Sequence, residues 1–236
     1  MSREPGTDGD SQTVDATAPV DGDLASMLST CATCRMWAEQ DEGPYHRDLQ
    51  PERRDVVEDR DGIVVQLGVR LSGAGDRPLA GATVEIWQCD ALGRYSGFPP
   101  PVEPGVVTAA TAPRAAYLPD QSFLRGGQRT DGEGMVEFRT IYPGWYPGRT
   151  VHVHVKVHAG GQVLTSQLYF PDDLSDEVLA RPPYAARPGR DTTNASDAIF
   201  GTGGEPAVLD VLPAAEGYRA GICLIVAGAG DTGGAR

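Results

Sequence analysis

The chain has 236 residues, a formal net charge of −13 at pH 7, 30 Gly and 19 Pro. That length can bury a substantial core in one large or two small domains, and the acidic balance argues against nucleic acid or an anionic membrane as the main partner. No run approaches the roughly 20 apolar residues of a membrane span, and no basic segment followed by an apolar one opens the chain. It therefore reads as cytoplasmic as given, or as secreted if an export signal was removed.

Residues 1–28 are rich in Asp, Gly, Ser and Thr and poor in large apolar residues, the composition of a disordered acidic segment. Residues 29–227 form the expected domain, and 228–236 a flexible Gly-rich tail. Cys31 and Cys34 make a C-x-x-C with no second such pair, which disfavours a zinc ribbon, and Cys89 and Cys223 lie in strand-like runs.

From about Gly62 the pattern is short strands divided by turn residues: Ile63 to Leu71, Ala82 to Cys89, and Met135 to Phe138 after Thr130-Asp131-Gly132-Glu133-Gly134. Val151 to His158 and Val163 to Phe170 flank Gly160-Gly161 and predict a hairpin. Ser96 to Gln121, with three consecutive prolines, breaks the rhythm as a long loop. A short helix is expected over Leu174 to Leu179, and final strands over Ala207 to Leu212 and Ile222 to Val226. The sum is an all-β chain, an antiparallel β-sandwich with long irregular loops.

Gly144-Trp145-Tyr146-Pro147-Gly148-Arg149-Thr150-Val151-His152-Val153-His154 concentrates chemistry in one turn and the strand after it. Alternate residues of a strand share a face and rise roughly 6.6 Å over two positions, so His152 and His154 can meet one ion from the same side. The same pattern also fits an amphipathic strand with valines inward and His152, His154, Lys156 and His158 towards water. Two tyrosines bear on that choice. Tyr146 lies six residues upstream of His152, and Tyr95 follows the Asp90-Ala91-Leu92-Gly93 turn after a neighbouring strand. Phenol ionises near pH 10, so tyrosinate ligation points to a hard, strongly Lewis-acidic trivalent ion, with Fe(3+) the natural candidate.

Several ordered blocks resemble the intradiol ring-cleavage dioxygenases, in particular their single-chain bacterial branch. They are Glu42-Gly43-Pro44-Tyr45, Trp87 to Tyr95, Phe123 to Asp131, Thr140 to His154, Gln167-Leu168-Tyr169-Phe170 and Asp191-Thr192-Thr193-Asn194. The resemblance runs from about Cys34 to Ile225. It implies that Tyr95, Tyr146, His152 and His154 ligate a non-haem ferric ion, with Tyr146 the displaceable ligand and proton acceptor. It also implies that Arg149 stabilises charge developing on the substrate and that Gln167 and Tyr45 border the substrate pocket; Trp87 and Trp145 are expected as core or pocket-wall aromatics, Trp145 being counted with the pocket. The implied reaction opens a catechol-type ring with O2 between the hydroxyl-bearing carbons, giving a cis,cis-muconate-type dicarboxylate. The partners implied are that small molecule and O2, without nucleic acid or membrane, and the arrangement admits a homo-oligomer.

The strand grammar alone also suits a metal-free β-sandwich binding module, and His152 and His154 with a carboxylate would suit a ferrous oxygenase. The N-terminal segment is too short and polar for the helical dimerisation region of the catechol and hydroxyquinol members. Residues 96–121 form a longer loop than the branch leads one to expect, implying a pocket shaped for a substituted catechol. Matching cysteines in the branch imply a Cys34–Cys89 disulfide in an oxidising compartment, with Cys31 a competing partner.

Overall fold

The computed structural model describes residues 20–30, 34–48, 51–99 and 120–226. Two sheets face each other. The first contains β1 (Arg35–Met36), β2 (Val64–Ser72), β5 (Met135–Ile141), β8 (Asp210–Ala214) and β9 (Gly217–Ile225). The second runs in the order β4 (Arg125–Arg129), β3 (Thr83–Trp87), β6 (His152–Ala159) and β7 (Gln162–Tyr169).

Alternation decides which side of each strand meets the other sheet. Val65, Leu67, Val69 and Leu71 of β2 and Ala220, Ile222 and Leu224 of β9 are buried in one continuous core with Val84 and Ile86 of β3 and Val153, Val155 and Val157 of β6. The β6–β7 hairpin forms as its pattern predicts, pairing His152 with Tyr169 and His154 with Gln167. The sandwich is the expected architecture, but not all of its pairs are antiparallel. β9 runs parallel to β2 from Val64↔Gly217 to Ser72↔Ile225, because the chain returns to β2 only after traversing the rest of the domain. β4 was not legible as a strand, since Arg-Gly-Gly-Gln-Arg carries no apolar alternation. It forms by pairing along β3 from Thr83↔Arg129 to Trp87↔Arg125.

The expected disordered segment over 1–28 is corrected where the chain is described. Gly22–Ser29 form an α-helix, α1, capped by Asp21, whose Oδ1 accepts from the amides of Asp23 at 3.1 Å and Leu24 at 3.3 Å. Two leucines at helical spacing suffice to dock it: Leu24 and Leu28 are fully buried, and a Cβ on Gly68 would stand 2.9 Å from each, so the helix lies close on β2. Residues 1–19, the tail 228–236 and most of the 96–121 loop lie outside the described residues. The second helix, α2, spans Asp172–Leu179, two residues earlier than expected.

The disulfide is Cys34–Cys223, not Cys34–Cys89. β1 pairs parallel with the end of β9, Arg35 opposite Leu224, which brings the Cα atoms of Cys34 and Cys223 to 4.6 Å. Cys89 follows β3 in the other sheet and stays a buried free thiol, donating to the Gly144 carbonyl at 3.3 Å. Asp76 Oδ1 sits 3.1 Å from Cys34 Sγ, but two sulfurs bonded to each other offer no thiolate for a metal.

Candidate metal centre

The outer face of β6 is where the two readings of the His-x-His strand separate. A solvated face would leave its histidines exposed, yet His152 and His154 are 2% and 1% exposed. Residues 40–46 lie across this face. Gln40 accepts from Ser166 and Tyr169, the Asp41 carbonyl accepts from Gln167 Nε2 at 3.1 Å, and Glu42 pairs with Lys156. Gly43 passes so near His154 that a Cβ would be 3.2 Å from its ring. The valines keep the predicted inward side, and the opposite side is buried too.

Tyr95 and Tyr146 arrive from two loops. Asp90 shapes the first, its Oδ1 accepting from the amides of Leu92 at 2.9 Å and Arg94 at 3.0 Å, with Gly93 at φ +78° completing the turn. The second loop packs on it backbone to backbone: Gly144 N–H donates to the Asp90 carbonyl at 3.1 Å, and a Cβ on Gly144 would stand 2.4 Å from the Ala91 oxygen.

Together these elements converge four donors. Around His152 Nε2 lie His154 Nε2 at 3.1 Å, the Tyr146 hydroxyl at 3.1 Å and the Tyr95 hydroxyl at 3.4 Å. His152 Nδ1 lies 2.6 Å from the Thr150 carbonyl, which can only accept, so Nε2 is left as a bare lone pair. One lone pair accepts one hydrogen, whereas three groups crowd it among buried side chains. The two phenols also pair with each other, and the four groups stand close enough to share one cation. Burial is the largest cause favouring the neutral form of each group: with the nearby Arg149 charge it lowers His152 to about 3 and His154 well below its usual value, and it raises both Tyr95 and Tyr146. Neutral imidazoles are the ligand form, and a trivalent ion would supply the positive charge that two phenolates require.

Aromatic rings enclose the donors. Tyr45 stacks on Tyr95 with centroids 4.1 Å apart, and Trp87, paired with His154 across the strands, stacks on its ring at 4.8 Å. Trp145 does not share this wall. Its ring lies 4.6 Å from the Arg187 guanidinium and joins the main core, the first of the two places expected for it. His46 packs edge-on against Trp87 between Glu42 and Glu85, and His158 reaches Glu85 at 2.9 Å on the half-exposed strand end.

Arg149 is buried and fixed from two sides. Its Nε donates to Asp197 Oδ2 at 2.9 Å and its Nη2 to Gln167 Oε1, and its charge acts on both tyrosines and both histidines. The sequence gives no warning of Asp197, which lies 48 residues from Arg149 and follows no recognisable pattern. Among the described residues no carboxylate joins the two imidazoles closely enough to share an ion with them, so a two-His-one-carboxylate centre lacks its third ligand.

A family model described as "Dioxygenase" matches residues 41–190. The protocatechuate 3,4-dioxygenase beta chain of Burkholderia cepacia is 32% identical over 165 residues, 64% of each chain. A solved intradiol ring-cleavage dioxygenase from Tetranychus urticae superposes with a TM-score of 0.72 at 33% identity, covering 82% of this chain and 95% of that one. The chain belongs to the intradiol ring-cleavage dioxygenase family.

Within the family, the dioxygenase domain of a carbohydrate-binding protein fusion from Streptomyces sp. SirexAA-E is also similar, with a TM-score of 0.57 at 29% identity over 81% of this chain and 98% of that one. The match to the Burkholderia beta chain spans less than two thirds of that protein's length. Among the described residues no helix is long and apolar enough to cross a membrane.

Proposed function

We propose that the chain is a non-haem iron(III)-dependent intradiol dioxygenase that opens a catechol-type ring with O2 between the two hydroxyl-bearing carbons, yielding a cis,cis-muconate-type dicarboxylate. The observation that carries this is the convergence of two phenol oxygens on two imidazole Nε2 atoms in one buried cluster. Tyr95, Tyr146, His152 and His154 would hold the ion. When bound, ferric iron supplies the Lewis acidity that makes a chelated catecholate reactive towards O2.

The chain's own residues do the rest. Tyr146 takes a catechol proton at its phenolate oxygen, and burial, which raises its affinity for a proton, suits it to that task. Arg149 offers a permanently charged, planar group to negative charge developing on the substrate, and Asp197 and Gln167 fix its orientation beforehand. Gln167 is in turn held by Asp41, so substrate-side polar groups keep their orientation before the substrate arrives. Tyr45 and Trp87 exclude water from the donors.

Purified protein reconstituted with ferric iron is expected to show a visible tyrosinate charge-transfer band, and Tyr95→Phe and Tyr146→Phe each to change that band and depress turnover. Colourless protein after reconstitution sinks the reading. Product analysis over a catechol panel then separates ring opening between the hydroxyls from opening beside them.

A further inference from the structure

We propose that Arg187 is a positioning residue that fixes the spacing between Tyr95 and Tyr146, and thereby the strength of iron binding; the inference rests on the ferric reading above. The two tyrosines stand on loops that no β-ladder joins, yet their oxygens must meet one ion. Arg187 spans both loops with one nitrogen: its Nη1 donates to the Leu92 carbonyl at 2.8 Å and to the Trp145 carbonyl at 3.2 Å. Leu92 lies three residues before Tyr95, and Trp145 immediately before Tyr146.

The contact is built from several sides. Trp145 Nε1 donates back to the Arg187 carbonyl at 2.8 Å, and the guanidinium lies over the Trp145 ring. A Cβ on Gly93 would come within 2.4 Å of Arg187 Nη1, so the glycine leaves the space that the guanidinium fills. Behind it, the Arg187 amide donates to the Tyr184 carbonyl at 2.9 Å, and the Tyr184 hydroxyl donates to the Tyr142 carbonyl at 2.7 Å, at the root of the second loop. A planar group with several donors in fixed directions suits this bracket. Lysine has a single nitrogen on a flexible stem and cannot both bridge the carbonyls and stack on the ring.

The test compares iron-loaded wild type, Arg187→Lys, Arg187→Met and, as a remote destabilising control, Leu28→Ala on α1. Two readouts are followed: the visible tyrosinate band and the rate at which a chelator extracts iron. The two Arg187 variants should fold, show a displaced and weakened band, and lose iron roughly 10- to 100-fold faster, the range usual for outer-shell changes at metal sites. Leu28→Ala should melt earlier while keeping both band and extraction rate. A wild-type band and rate in Arg187→Lys overturns the proposal. So does the same band change in Leu28→Ala, or failure of both Arg187 variants to fold, either of which assigns the residue to general stability. Absence of any band in wild type would remove the ferric reading itself, a separate failure.

Discussion

Asp197 shows how one side chain couples site geometry to stability. Its Oδ2 accepts from Arg149 Nε and from the Thr150 amide at 2.7 Å, while Oδ1 accepts from the amides of Ile199 and Phe200. Burial raises the carboxyl's proton affinity, but the Thr150 amide and the Arg149 guanidinium outweigh it and hold the group below the ordinary carboxylate range. Because the folded pKa lies below the unfolded one, the ionised group contributes stability that is present above about pH 4 and is lost as pH falls through the folded value. Asp197→Asn is therefore expected to cost about 1–3 kcal/mol at pH 7. The deficit should shrink below pH 4 in urea titrations of the iron-free protein. A deficit independent of pH would contradict this account. Turnover should fall as well, since Arg149 loses the partner that orients it.

At the scale of elements, the site depends on loops pressed together more than on the strands they leave. Gly93 and Gly144 make the tightest of these contacts: a Cβ would stand 2.3 Å from the Trp145 oxygen at the first and 2.4 Å from the Ala91 oxygen at the second. Gly144→Ala must push the loop bearing Tyr146 away from the loop bearing Tyr95, or distort both. Overpacking of this kind typically costs about 1–3 kcal/mol. Denaturant unfolding should report that loss, and iron affinity should fall with it. An unchanged unfolding midpoint would show that the loops are looser than their contacts imply. The β6–β7 hairpin, by contrast, is fixed by its register, and its polar face is buried because residues 40–46 and the loops bearing Tyr95 and Tyr146 cover it. That covering segment is continuous with β1, which ties the element scale to the whole molecule.

Across the whole molecule, the Cys34–Cys223 bond joins positions 189 residues apart, linking the start of the covering segment to the last strand. Cross-links that close long stretches of chain constrain the unfolded state most, and removing a native one typically costs about 2–5 kcal/mol. Paired Cys34→Ser and Cys223→Ser substitutions should lower stability by that order in urea. Peptide mapping of protein prepared without reductant should recover the 34–223 linked pair and an unlinked Cys89. A 34–89 pair would refute the β1–β9 placement on which the bond depends.

The repeated strand-and-turn grammar and the hairpin after Gly160-Gly161 were legible in the amino-acid sequence, because alternation and turn chemistry are local properties, and the proposed ligands Tyr95, Tyr146, His152 and His154 came from the family resemblance. The family was legible too, through several short blocks in order. The partners of those residues were not. Asp197 behind Arg149, Arg187 between the tyrosine loops and Cys223 opposite Cys34 are each brought to their places by chain that folds back from a distance. α1 escaped because two leucines in a polar segment carry little signal until Gly68 offers them a surface. Spacing along the chain thus marked out the groups proposed to bind and react. Tertiary packing alone decided whether the histidine face met water or a closed cluster, since burial depends on what the rest of the chain lays over it.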